Sequence, residues 1–195
     1  MIRAARHADL VKSTPGCTMA GSLNDLVAYL EALNGRAPLD ELVARVRSLR
    51  IESADVARHI HFHERHYMRN LLKAGDWYNI VVLCWKNGQR SPIHDHQGSS
   101  CAVRVLRGVA TETFFDFAPN GQVRAQGSRE LSPGSVCGSQ DTDVHQVSNL
   151  QAAAADLVTL HIYSPPLHQM GTYSITSTDR GVELMFPEFI EAGGI

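Results

Sequence analysis

The residues best suited to chemistry lie between Gly88 and Gly108, where Gly-Gln-Arg-Ser-Pro-Ile-His-Asp-His-Gln-Gly-Ser-Ser-Cys follows an apolar run ending at Trp85. Alternate side chains of an extended segment share a face. His94 and His96 therefore point the same way and can grip one metal ion. Asp95 points away from that ion and is expected to support the ligands or the surrounding structure. The ordinary alternative is one core imidazole beside one solvated loop histidine, and the pair by itself does not decide between the two readings.

Such residues need a frame to hold them. The chain has 195 residues, 44% of them hydrophobic, which suits one domain with a sizeable core. Lys and Arg total 18 against 20 for Asp and Glu, a net charge of -2, so no basic field is available for a polyanion and nucleic acid is not expected as a partner. Charges interrupt the start, Met-Ile-Arg-Ala-Ala-Arg, and no stretch reaches transmembrane length, so a cytoplasmic protein without a membrane partner is expected. A monomer is expected as well. Cys17, Cys84, Cys101 and Cys137 lack Cys-x-x-Cys spacing, which suggests neither a zinc knuckle nor a disulfide scaffold and suits a reducing compartment.

Residues 1 to about 21 mix charge with turn formers and read as a loosely held arm. A helix follows, with Asn24 as a candidate cap, Leu26, Val27, Tyr29, Leu30 and Leu33 at helical spacing, and Asn34-Gly35 as its stop. A second begins near Pro38, with Asp40 and Glu41 at its positive end and Leu42, Val43, Val46 and Leu49 as its stripe. Between Ser53 and Leu72 lie His59, His61, His63 and His66. On a helix His59, His63 and His66 would share a face, but no cysteine or carboxylate completes a site there, so a solvated face is the preferred reading.

From Tyr78 to Trp85 the sequence turns β-branched and aromatic, and the sheet is expected to start there. Further strands are predicted at Cys101 to Arg107, Val109 to Phe115, Val123 to Gln126, Ser135 to Cys137, His145 to Ser148, Leu157 to Tyr163, Tyr173 to Ile175 and Val182 to Phe186. Many short strands between turns such as Asn120-Gly121 and Pro133-Gly134 read as a sandwich or barrel.

The spacing Gly88, His94, His96, Cys101, Gly108 resembles the first signature of the cupin superfamily, with Cys101 where many cupins carry a metal-binding glutamate. His145 and Asn149 match the end of the second signature. A narrower resemblance follows from Tyr67-Met-Arg69-Asn, Leu83-Cys-Trp85, His94-Asp-His96, Cys101 and His161-Ile-Tyr163-Ser-Pro-Pro166, in that order. Together these resemble the cysteine dioxygenase type I family of cupin thiol dioxygenases over roughly residues 67 to 186. The resemblance implies a mainly β fold: one cupin jelly-roll domain over residues 1–195, with the arm and helices in 1–75 and the barrel core in 76–195.

The resemblance also implies a site. His94, His96 and His145 would hold Fe(II) and leave other positions open, and the missing carboxylate leaves more positive charge on the metal than a two-histidine, one-carboxylate triad does. That charge suits a thiolate, so L-cysteine binding through sulfur and oxidised by O2 to cysteine sulfinic acid is the expected reaction. The three histidines alone would equally take zinc. Arg69, with Tyr67 nearby, would bind the substrate carboxylate through its planar fork. Without the resemblance, Arg69 would be read as a surface arginine.

Tyr163 and His161 would be catalytic, forming a hydrogen-bonded line with Thr159 where the family has serine. Without the motif, His161 and Tyr163 would read as a buried polar pair. Cys101 stands where mammalian-type members join a cysteine to the tyrosine, so a Cys101–Tyr163 thioether is implied; the plain alternative is a buried thiol. A cis bond before Pro165 is implied too. Ser100, where some relatives have histidine, is expected to loosen substrate fit. Alternative readings are a dioxygenase of 3-mercaptopropionate or mercaptosuccinate, and a non-catalytic metal-binding cupin module. Arg69 argues for cysteine, since relatives acting on 3-mercaptopropionate tend to carry glutamine there.

Overall fold

A computed structural model describes residues 21–141, 143–152, 154–186 and the backbone of 189–190. The expected N-terminal arm, with Cys17, lies almost wholly outside the described residues.

Helix α1 (Leu23–Glu31) is capped by Ser22, two residues ahead of the expected cap at Asn24. The Ser22 hydroxyl accepts from the Asp25 N–H at 3.2 Å, and the Asp25 carboxylate accepts in return from the Ser22 N–H at 2.8 Å. Helix α2 (Leu39–Ser48) starts at Pro38, with Asp40 and Glu41 in its first turn and Arg45 and Arg47 in its last. Leu26, Leu30, Leu42 and Val46 form the buried stripes of the two helices. Helix α3 is a short turn, Ser53–Ala57.

The strands are β1 (Met68–Gly75), β2 (Tyr78–Trp85), β3 (Ile93–His94), β4 (Ser100–Arg107), β5 (Ala110–Phe117), β6 (Val123–Leu131), β7 (Val136–Gln140), β8 (His145–Ser148), β9 (Leu157–Ser164), β10 (Gln169–Tyr173), β11 (Arg180–Leu184) and β12 (Phe189–Ile190). They form two six-stranded sheets, ordered β12-β1-β2-β9-β4-β7 and β11-β10-β3-β8-β5-β6. Two six-stranded sheets with helices on one outer face are the jelly-roll arrangement expected, and the mainly β expectation holds.

Strands β2 and β9 explain how helices and barrel share one chain. Every residue of both is buried. Tyr78, Ile80, Val82 and Cys84, with Val158, Leu160 and Ile162, face the cluster containing Leu26, Leu30, Leu42 and Val46. Val81, Leu83, Trp85, Leu157 and Tyr163 face the barrel interior. A strand covered on both faces reads as a continuous apolar run, and its period of two still decides which side chains reach the interior. At about 25 cal/mol per Å2 of apolar surface, covering this outer face is a main source of the helices' hold on the sheet.

Polar contacts fix the same junction. Arg104 donates from Nη1 to the carbonyls of Val46 at 3.0 Å and Leu49 at 2.6 Å, supplying partners for the open end of α2. Arg36 donates to Ser100 Oγ at 2.9 Å and pairs with Asp141 at 2.6 Å. The Ala37 N–H donates to Ser164 Oγ at 2.9 Å. Gly108 ends β4 with φ +78°, and an added Cβ would lie 2.5 Å from the Asp156 carbonyl oxygen, so glycine is required on both counts.

Three expectations need correction. The sheet begins at Met68, not Tyr78, because Met68–Gly75 pairs along β2. The histidine-rich run is not a continuous helix: α3 ends at Ala57, so His59, His63 and His66 share no helical face. The last strands of the second sheet run earlier than expected, since β10 is set by pairing to β3 and β11, Thr172 lying opposite both His94 and Gly181.

Candidate metal centre

His94 ends β3 and His145 begins β8, and the two are directly opposite in register. His96 lies just past β3. Their ring centroids are 4.7, 4.9 and 5.2 Å apart, all three residues are buried, and one nitrogen from each lies within 4.8 Å of the others. Among the described residues this is the one group able to hold a metal ion.

The donor set fits such an ion. His94 Nδ1 is 3.0 Å from the Pro92 carbonyl oxygen, which leaves Nε2 to face the cluster. His145 Nδ1 is 2.8 Å from Glu112 Oε1, and His145 Nε2 is buried with no hydrogen-bond partner. A buried, unpartnered imidazole nitrogen costs about 1–3 kcal/mol unless a ligand uses it. Burial and the neighbouring His145 push the His94 pKa down to about 3, and burial likewise pushes His96 well below its usual value. Neutral imidazoles are the form that binds metal.

The remaining predicted residues gather on the facing sheet. Tyr67, Arg69, His161 and Tyr163 line one narrow cavity with the three histidines, whose free centre is about the size of a water molecule. Arg69 is only 7% exposed and its guanidinium carbon is 5.5 Å from the centre of the Tyr163 ring. Its Nε is buried without a hydrogen-bond partner, and among the described residues no carboxylate pairs with it. Burial opposes its charge, but the nearby Tyr163 and Tyr67 outweigh it and hold its pKa above the ordinary arginine value. Tyr67 stacks on Trp85 with centroids 4.2 Å apart.

Thr159, His161 and Tyr163 alternate along β9 and so share the interior face. Thr159 Oγ1 is 2.9 Å from His161 Nε2, and His161 Nδ1 is 3.1 Å from the Tyr163 hydroxyl. Burial keeps His161 well below its usual pKa and, with Cys101 next in weight, keeps the Tyr163 phenol above its own. The line extends further than the sequence suggested, since Trp85 Nε1 donates to Thr159 Oγ1 at 3.0 Å.

Cys101 lies opposite Tyr163 across β4 and β9 and is fully buried, while Tyr163 lines the cavity. Ser100 does not line the cavity. Its hydroxyl donates to the Ala37 carbonyl at 2.8 Å and accepts from Arg36, so it ties the helical segment to the barrel. Asp95 turns away as expected, accepting from the Gly171 N–H at 2.9 Å and the Tyr173 hydroxyl at 2.5 Å. Asn149 Nδ2 donates to the Trp85 and Ala155 carbonyls. The peptide bond before Pro165 is cis.

Glu112 escaped the sequence reading. It is 2% exposed, and its other oxygen, Oε2, accepts from Arg129 Nε at 2.9 Å. Burial raises its pKa, but His145 and Arg129 outweigh that and hold it down at about 2. The available signal was an acid in β5 and an arginine 17 residues later, opposite it in β6.

Residues 12–176 match the sequence profile of cysteine dioxygenase type I. The chain is 30% identical over 151 residues to the cysteine dioxygenase type 1 of Rattus norvegicus, covering 74% of this chain and 75% of that one. It is 31% identical over 152 residues to the Homo sapiens protein of the same name, with coverage of 74% and 75%. A solved Klebsiella pneumoniae protein with a double-stranded β-helix domain aligns over 64% of this chain and 97% of its own, at 16% identity and TM-score 0.48. With a family match spanning most of its length and curated relatives matched over three quarters of theirs, the chain belongs to the cysteine dioxygenase type I family.

Proposed function

We propose that this chain is an Fe(II)-dependent dioxygenase that oxidises L-cysteine to cysteine sulfinic acid in the cytoplasm. The observation that carries a carboxylate-bearing thiol as the substrate class is Arg69, a buried cation without a carboxylate partner among the described residues, lining the same cavity as the three histidines. L-cysteine within that class rests on the family. Buried charges are paired in folded proteins or await a ligand of opposite sign. A small thiol bearing a carboxylate meets that need.

His94, His96 and His145 would hold the iron. When bound, iron supplies Lewis acidity toward the thiol and the electron transfer that lets O2 add to sulfur. The balance needs no further reductant: R–SH plus O2 gives R–SO2H, the electrons coming from sulfur and both oxygen atoms entering the product.

The chain's own residues bind, orient and exclude. Arg69 fixes the carboxylate and thereby aims the thiol at the histidine cluster. Tyr163 keeps its proton at neutral pH, because burial disfavours the phenolate, and its hydroxyl is held by His161 and can donate to charge that develops beside it. Tyr67 and Trp85 stack as one aromatic wall that helps keep the cavity small and dry. The unbridged, buried Cys84, Cys101 and Cys137 suit a reducing compartment.

The test combines metal analysis of purified protein with oxygen uptake on L-cysteine, cysteamine, 3-mercaptopropionate and mercaptosuccinate, with sulfinate identified by mass spectrometry. Iron near one equivalent and fastest turnover of L-cysteine are expected. Preference for another thiol would reassign the substrate, and binding of metal without oxygen uptake on any thiol would favour a non-catalytic module.

A further inference from the structure

We propose that Glu112 is the positioning residue for His145, fixing the imidazole with hydrogen on Nδ1 so that Nε2 faces the cavity, and that Arg129 holds Glu112 in place for this task. The proposal rests on the reading of His145 as a metal ligand and adds to it the device that makes this ligand unlike the other two.

The geometry is a continuous chain from surface to site. Glu112 sits on β5 between its two neighbours, opposite Arg129 on β6 and Val147 on β8. Its Oε1 is 2.8 Å from His145 Nδ1, while Oε2 accepts from Arg129 Nε at 2.9 Å and from Nη2 at 2.8 Å. An ionised carboxylate can only accept. His145 must therefore carry its proton on Nδ1, and its lone pair is left on Nε2, the buried atom with no other partner. Arg129 is half-buried, so the arginine reaches toward solvent while the acid it grips is 2% exposed.

The three imidazoles are held differently. His94 Nδ1 meets a backbone carbonyl, Pro92, and His96 Nδ1 is buried without a partner. His145 alone among them has a carboxylate. A carboxylate behind a ligating histidine fixes its ring and raises its basicity, and loss of such a partner lowers metal affinity by about 10–100-fold. His145 is thus the one of the three whose ring is set by a carboxylate side chain, and the one whose setting is most open to mutation at a distance.

Two measurements test this. In metal-free protein, long-range nitrogen–proton NMR of labelled histidine should show His145 as the Nδ1–H tautomer, with Glu112→Gln shifting it toward a mixture or toward Nε2–H. In titrations with Co2+, Glu112→Gln should bind about 10–100-fold more weakly and change the visible absorption of the bound ion. Glu112→Asp should recover part of the loss. The double variant Glu112→Gln with Arg129→Gln removes the uncompensated arginine, and should fold as judged by circular dichroism yet still bind weakly. Unchanged tautomer and unchanged Co2+ affinity in the double variant would overturn the proposal. Failure of the unaltered chain to bind Co2+ would overturn the metal-site reading, while the NMR result would still show whether Glu112 sets the tautomer.

Discussion

Cys101 and Tyr163 face each other directly across the antiparallel strands β4 and β9, one register pair from the Ser100–Ser164 pair that the helical segment ties down. Directly opposed residues of such strands share a face, with Cβ atoms about 4.5–5.5 Å apart. Burial pushes the Cys101 thiol up to about 12, so it is not a thiolate at neutral pH and does not meet reagents from solvent. Its neighbour across the strand pair is Tyr163, which lines the cavity.

Turnover with cysteine and O2 should therefore convert a fraction of the protein to a Cys101–Tyr163 thioether. The thiol hydrogen and one ring hydrogen leave as two protons and two electrons, a carbon–sulfur bond forms, and O2 takes up the protons and electrons to leave as hydrogen peroxide. Intact mass should fall by the hydrogens lost, and a proteolytic peptide should link the two residues. Cys101→Ala should abolish the lighter species while keeping part of the activity. A Cys101 that is fully alkylated after denaturation, following many turnovers, would mean the bond does not form.

Replacing His94, His96 or His145 by alanine should each remove iron and thiol-dependent oxygen uptake, because three nitrogens on one side of an ion leave no spare ligand among the described residues. Metal content and oxygen uptake should fall together. Full activity in a metal-depleted preparation would count against the iron reading.

Arg69→Gln should raise KM for L-cysteine by about 10–100-fold, the loss of a charge-assisted contact worth about 1.5–3 kcal/mol. Cysteamine lacks the carboxylate and should be affected far less. Equal losses on both thiols would show that Arg69 does not read the carboxylate.

The legibility of this protein followed burial. β2 and β9 stood out because helices cover one face and the barrel core the other, which makes them continuously apolar. His94 and His96 stood out because the period of a strand puts them together. Met68-Arg-Asn-Leu-Leu-Lys-Ala-Gly75 did not read as a strand, since its residues have weak β-propensity and only pairing with β2 and β12 makes it one. Glu112 was hidden because Thr111-Glu112-Thr113 looks like an ordinary alternating surface strand, and its partners come from two other strands. Arg69 was legible only through the family resemblance, because nothing in its local sequence distinguishes a buried cation from an exposed one.

Thr159 offers the sharpest separation of polar function from packing. Trp85 Nε1 can only donate, so Thr159 must accept from it, and its own hydroxyl proton is free for His161 Nε2. His161 then carries hydrogen on Nδ1 and donates to the Tyr163 oxygen, so the phenolic proton is not spent on His161. Thr159→Val keeps the shape but orphans the indole N–H and the imidazole nitrogen, each costing about 1–3 kcal/mol when buried. Urea melts of metal-free protein should show that loss, and kcat should fall because His161 can take the other tautomer and compete for the Tyr163 proton. Thr159→Ser keeps the hydroxyl and loses one methyl, about 1 kcal/mol, so stability should drop slightly and kcat should stay near that of the unaltered chain. If valine and serine lower kcat equally, the hydroxyl does not orient His161, and Thr159 matters to this site only by filling space.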